Sequence, residues 1–190
     1  MDYIKQIENY TPFNEQERVD QALMLDYIKT HKNALFRENL AAHVTSSAFV
    51  LNKTMDKLLF AYHNIYDSWG WVGGHNDGDS DLLKVAIKET KEETGIKTIM
   101  PYSEDIFTLD VIYVKNHIKK GSYVSDHLHL NVAFLLIGDE SEMVTPKLDE
   151  NKGVKWFKLD DILKVITEER MINVYQKALD KIEAIKQSKI

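Results

Sequence analysis

The chain contains no cysteine, so disulfides and thiolate zinc sites are excluded and the redox compartment is left open. Long apolar runs are missing too. Nothing approaches the ~20 residues that a membrane helix needs, and the opening Met1-Asp2-Tyr3-Ile4-Lys5-Gln6 lacks an apolar signal core. A cytoplasmic location with no membrane partner is therefore expected. Positive charge is in deficit: 24 Lys and Arg against 30 Asp and Glu leave a net charge of −6. That balance argues against a sequence-independent grip on nucleic acid. Phosphate remains an acceptable partner if a divalent metal bridges the two negative groups. No internal repeat, low-complexity segment or linker is visible. With 190 residues, 44% hydrophobic and 28% charged, the chain fits one domain with an appended element.

What is present is concentrated in one stretch. Gly73-Gly74-His75-Asn76-Asp77-Gly78-Asp79-Ser80-Asp81 is a glycine-hinged acidic loop, and Leu82 to Ile96 reads as a helix. Asp81 suits the positive end of the helix dipole, and Gly95 can take the left-handed conformation that ends a helix. At 100° per residue Leu82, Leu83, Ala86, Ile87 and Thr90 share a sector that must be buried. Glu89, Glu92 and Glu93 gather in another, with Val85 as the exception among them. Carboxylates at i, i+3 and i+4 are close enough to share a cation. A solvated charged face is the plain alternative, because Glu is a good helix former. An EF-hand reading of Asp77 to Asp81 fails, since the sixth and twelfth loop positions hold Leu82 and Lys88 instead of Gly and Glu.

The stretch resembles the box of the Nudix hydrolases. Gly74 opens it, and Lys88-Glu89-Thr90-Lys91-Glu92-Glu93-Thr94-Gly95-Ile96 closes it in register. Three positions depart from the pattern: Ser80 replaces a Glu, Lys88 replaces Arg, and Thr90 takes an apolar slot. Lys88 keeps the charge but not the planar fork. The approach Trp69-Gly70-Trp71-Val72-Gly73-Gly74 lacks the proline common at this point in the family.

Residues 1–40 read as a helical arm, with Asn14 as N-cap of a helix from Glu15 to Thr30 and Val19, Ala22, Leu23 and Tyr27 on one face. The arm could roof an active site or swap into a homodimer, but structural cover is preferred. Strands are expected at 43–51, 58–63, 66–74, 107–114, 127–134 and 153–157, with a loop carrying Lys115, His117, Lys119 and Lys120 after the fourth. A short helix at 159–165 and a terminal helix with Ile172, Tyr175, Leu179, Ile182 and Ile185 as its stripe follow. This order fits an α/β/α sandwich around a mixed sheet, the Nudix fold by resemblance, with 41–190 as the hydrolase domain.

The resemblance implies a Mg2+- or Mn2+-dependent hydrolase of a diphosphate linkage in a nucleoside diphosphate derivative or related nucleotide. It implies Glu89, Glu92, Glu93 and the Gly74 carbonyl as metal ligands, with Lys88 positioning Glu89. Glu89 could instead be the general base. Among residues outside the box, His127 and His129 share a strand face and could touch substrate, Trp69 could stack on a base, and Glu150 could supply an extra carboxylate. Core or surface roles compete with each of these. An isopentenyl-diphosphate isomerase shares the fold, but its common mechanism uses a cysteine. A catalytically weakened domain that senses a nucleotide ligand or serves as an interaction module is the alternative, because Ser80 and Lys88 erode the box.

Overall fold

A computed structural model describes residues 2–119 and 121–188. Lys120, expected on a solvated loop, lies outside the described residues. Two helices, α1 (Tyr3–Asn9) and α2 (Glu15–Thr30), precede β1 (Ala42–Asn52), β2 (Lys57–His63), β3 (Ser68–Gly70) and β4 (Val72–His75). Helix α3 (Leu82–Thr94) follows, then β5 (Ile99–Pro101), β6 (Thr108–Val114), β7 (His117–Lys119), β8 (Ser122–Val124), β9 (His127–Gly138) and β10 (Asn151–Lys158). A single 3-10 turn (Leu159–Asp161), α4 (Ile162–Val165) and α5 (Glu169–Gln187) close the chain. The strand order is β10-β2-β1-β9-β5, with β3 on β2, β4 on β1 and β6 on β9. The class is α/β, a mixed sheet with helices and an N-terminal helical segment. Among the described residues no helix is long and apolar enough to cross a membrane.

The chain divides into two compact units. One holds Met1–Ala48, Gly73–Glu89 and Ser103–Phe134; the other holds Phe49–Val72, Thr90–Tyr102 and Leu135–Ile190. In the first, β6 pairs antiparallel with β9 from Thr108↔Ala133 to Val114↔His127. The stretch after Val114, expected as a loop, pairs as the short ladder β7–β8, from His117↔Val124 to Lys119↔Ser122.

Helix α2 begins where expected, because the Asn14 side chain accepts the Glu17 N–H at 2.9 Å. Its buried face differs from the expected one. Val19 and Leu23 are 49% and 43% exposed, whereas Glu17, Met24 and Ile28 are buried. The inward stripe runs through positions 17, 21, 24 and 28, and two of its four members are polar. Glu17 accepts hydrogen bonds from the Tyr10 hydroxyl (2.6 Å), the Phe13 N–H (2.8 Å) and the Leu109 N–H (3.3 Å). Gln21 donates to the carbonyls of Ile7 and Tyr10, both at 2.7 Å. These bonds turn the helix towards its polar anchors, a choice that hydrophobic patterning cannot register. Burial, followed by the Glu17 carboxylate, raises the Tyr10 hydroxyl pKa far above its ordinary value. Replacing Glu17 by Ala strands buried donors and is expected to cost roughly 2–4 kcal/mol. The check is a lower urea midpoint at unchanged slope.

In the second unit β2 is the central strand, paired antiparallel with β1, β3 and β10. Its core is aromatic. Phe49, Phe60 and Trp71 surround Tyr175 with ring centroids 5.3–6.1 Å from it. The Tyr175 hydroxyl accepts the Trp71 N–H at 3.1 Å. The buried stripe of α5 is Met171, Tyr175, Ala178 and Ile182, while Ile172, expected on that stripe, is 36% exposed.

Candidate active site

The acidic loop uses its carboxylates to shape itself. Asp77 receives both nitrogens of the Arg37 fork, Nε at 2.7 Å and Nη2 on the second oxygen. That guanidinium holds the Asp77 carboxyl below the usual carboxylate range. Asp79 accepts the Asp81 N–H at 3.0 Å and pairs with Lys84 at 2.9 Å. Asn76 is buried between the Ser46 hydroxyl, which donates to it at 3.0 Å, and the Asp79 carbonyl, which accepts from it at 2.9 Å. Asp81 then caps α3, accepting the Lys84 N–H at 3.0 Å. The helix therefore starts at a fixed place and rotation.

That rotation sets the environment of each glutamate. Leu82, Val85, Ala86, Thr90 and Glu93 are buried, while Leu83 and Ile87 are only half-buried. Val85, which fell among the glutamates on a helical wheel, thus belongs to the inward face. A solvated acidic ridge would leave all three carboxylates in water. Instead Glu93 is 2% exposed and the Glu89 side chain 14%, against 43% for Glu92.

In the first unit Glu89 lies against the backbone of Gly74. A Cβ added at Gly74 would sit 2.5 Å from Glu89 Oε2 and 2.6 Å from its carboxyl carbon. Lys88 Nζ holds the other oxygen, Oε1, at 3.1 Å. In the second unit the Asn151 amide donates to the Glu93 carbonyl at 3.3 Å. The Thr145 N–H donates to the Thr94 carbonyl at 2.7 Å. Gly95, at φ +69°, ends the helix as the left-handed cap residue, its N–H on the Lys91 carbonyl at 2.9 Å.

Lys147 is a residue the sequence reading missed. Its Nζ is 3.9 Å from Glu92 Oε2 and 3.1 Å from Glu150 Oε2. Glu150 is thereby linked through one cation to a carboxylate of α3. The signal for it was the i, i+3 spacing of Lys147 and Glu150 in a segment that had no motif. Trp69 packs edge-on against Phe157 at 4.8 Å and Tyr62 at 5.3 Å, within the aromatic layer of its own unit.

His127 and His129 join two histidines that the sequence reading did not single out. The rings of His43 and His127, His43 and His129, and His43 and His75 are each 5.0 Å apart between centroids. Burial first, and the nearby Arg37 charge second, push the His75 pKa down to about 3. Burial likewise lowers His43, and takes His129 well below its ordinary value. Burial thus favours the uncharged form of His43, His75 and His129 in this corner of the first unit.

The profile of the NUDIX domain family matches residues 41–178. A search of curated proteins finds no match. Among solved structures, the chain is similar to a C. elegans Ap4A hydrolase in a binary complex: 21% identity, TM-score 0.56, covering 76% of this chain and 98% of that one. A MutT protein from Methanosarcina mazei Go1 has 19% identity and TM-score 0.55, over 75% and 96% of the two chains. A NUDIX-family hydrolase from Clostridium perfringens has 21% identity and TM-score 0.53, over 73% and 96%. At these identities the structural matches speak for the fold. The chain belongs to the NUDIX family and is, by class, a pyrophosphohydrolase. Hydrolases of this family generally need divalent metal ions.

The residues present fit such an ion. Three carboxylates of one helix and the backbone against which Glu89 rests are hard oxygen donors, the chemistry that Mg2+ and Mn2+ prefer.

Proposed function

We propose that the protein hydrolyses a diphosphate linkage in a nucleoside diphosphate derivative or related nucleotide, using Mg2+ or Mn2+ held by α3. The observation that carries the reading is the inward pair Glu89 and Glu93, one helical turn apart, with Glu89 lodged against the Gly74 backbone. Glu89, Glu93 and the Gly74 carbonyl would hold the ion, and Glu92 would add a third carboxylate. Bound there, a divalent ion neutralises charge on the phosphoryl oxygens and makes a bound water acidic. Lys88 keeps Glu89 turned towards Gly74. Glu89 could instead take the proton of the attacking water, with Glu92 and Glu93 left as the carboxylate ligands. Residues 41–190 form the hydrolase domain on this reading, and 1–40 the arm that covers it. The chain works in the cytoplasm on small molecules.

The test is a panel of nucleotide-sugars, nucleoside triphosphates and dinucleoside polyphosphates, assayed with Mg2+, with Mn2+ and after chelation. Dinucleoside polyphosphates belong in it because the C. elegans relative is named an Ap4A hydrolase. The expected result is turnover of at least one class, abolished by chelation and restored by either metal. Tight binding of nucleotides without turnover in any class would replace this reading with that of a nucleotide sensor.

A further inference from the structure

The histidine cluster lies apart from the carboxylates in its chemistry. His43 stands on β1, His75 at the end of β4, which pairs with β1, and His127 and His129 on β9, which also neighbours β1. One ligand atom from each of His43, His75 and His129 lies within 4.8 Å of the other two. We propose that these three side chains bind a borderline transition-metal ion, Zn2+ foremost, at a site separate from the oxygen donors of α3.

The hydrogen bonds around the cluster prepare it for that role. His43 Nδ1 lies 3.0 Å from the Asn39 carbonyl, so it carries the proton and Nε2 carries a lone pair. His43 is 4% exposed, and its Nε2 is buried with no hydrogen-bond partner among the described residues. A lone pair withdrawn from water and left unused is costly. A cation satisfies it. His127 repeats the pattern, with Nδ1 held by the Ser125 carbonyl at 2.8 Å and Nε2 3.2 Å from His129 Nε2. An imidazole whose far N–H is fixed by a carbonyl is the usual form of a metal-ligating histidine. Bonds of about 2.0–2.1 Å to a tetrahedral ion put its nitrogen ligands about 3.3 Å apart. His127 meets that spacing to His129 alone, and without a cation the same pair forms an N–H···N hydrogen bond.

Donor type sets the preference. Neutral imidazoles suit zinc, copper, nickel and cobalt, whereas Mg2+ and Mn2+ favour oxygen. Arg37 faces the cluster, but its charge is taken up by the Asp77 carboxylate. Lys119 is a further positive group near His75 and His129. It opposes a cation without occupying the donors.

The experiment uses the full chain, stripped with chelator and then held in excess Mg2+, with Co2+ as the probe. One equivalent of Co2+ is expected to give the visible absorption of a nitrogen-coordinated ion, and Zn2+ to bleach it. His75→Gln and His129→Gln, each confirmed folded by circular dichroism, should weaken Co2+ uptake at least about 10-fold. Glu93→Gln should keep the spectrum while losing hydrolysis, so this site and the hydrolytic one fail independently. Absence of the absorption in the wild-type protein would overturn the proposal. So would its persistence at full strength in a protein carrying both His75→Gln and His129→Gln, or its loss with Glu93→Gln.

Discussion

Glu93→Gln is expected to lower metal-dependent hydrolysis by at least ~100-fold and to leave the protein folded. Losing a partner that merely orients a metal ligand costs ~10–100-fold, so losing a ligand itself should begin at the upper end of that range. The substitution keeps the volume of a side chain that is 2% exposed, so the packing of α3 has no void to collapse into. It removes the charge that a divalent ion needs. Two measurements decide the matter: kcat with saturating Mg2+, and the thermal midpoint without metal. Full activity in a folded Glu93→Gln protein would remove Glu93 from the site.

Gly74→Ala should cause a comparable loss by a different route. The new methyl group would lie 2.5 Å from Glu89 Oε2 and 2.8 Å from its Cγ, so the two cannot coexist. What must yield is the far end of a flexible side chain, not the backbone. Glu89 is displaced from Gly74 and from the Lys88 ammonium that holds it at 3.1 Å. We expect ~10–100-fold weaker activation by Mg2+ with little change in melting temperature. The neighbouring Gly73→Ala is the control. Its Cβ would meet the Ser46 carbonyl oxygen and Ser47 Cα, both at 2.6 Å. There the backbone must move, so that variant should lose stability as well as activity. Equal melting losses in both variants would show that Gly74 serves packing and not Glu89.

The box was legible because its chemistry is local. Asp81 caps, Gly95 ends the helix, and glutamates at i, i+3 and i+4 share a side at whatever angle the helix later docks. Lys88, adjacent in sequence to Glu89, lies 3.1 Å from its carboxylate in the structure. The strands at 43–51, 58–63, 107–114 and 153–157 were equally visible, since apolar, β-branched and aromatic runs bounded by turn residues announce themselves within a few positions.

Partners far apart along the chain were not legible. Nothing near Glu92 points to Lys147, and nothing near Val19 says that Glu17 will be drawn inward by Tyr10, Phe13 and Leu109. The four histidines lie at 43, 75, 127 and 129, separated by a helix and several strands. Only the placement of β4 and β9 beside β1 brings them together.

The amino-acid sequence by itself determined the family, the α/β class, and which helix carries the carboxylates, because helix periodicity and capping are set by neighbours within a turn. Tertiary structure decided which of those carboxylates are buried and which face water. It also decided what the loop aspartates bind and that four imidazoles share one corner. Burial and long-range pairing depend on where other segments pack, and that information is absent from any single stretch of chain.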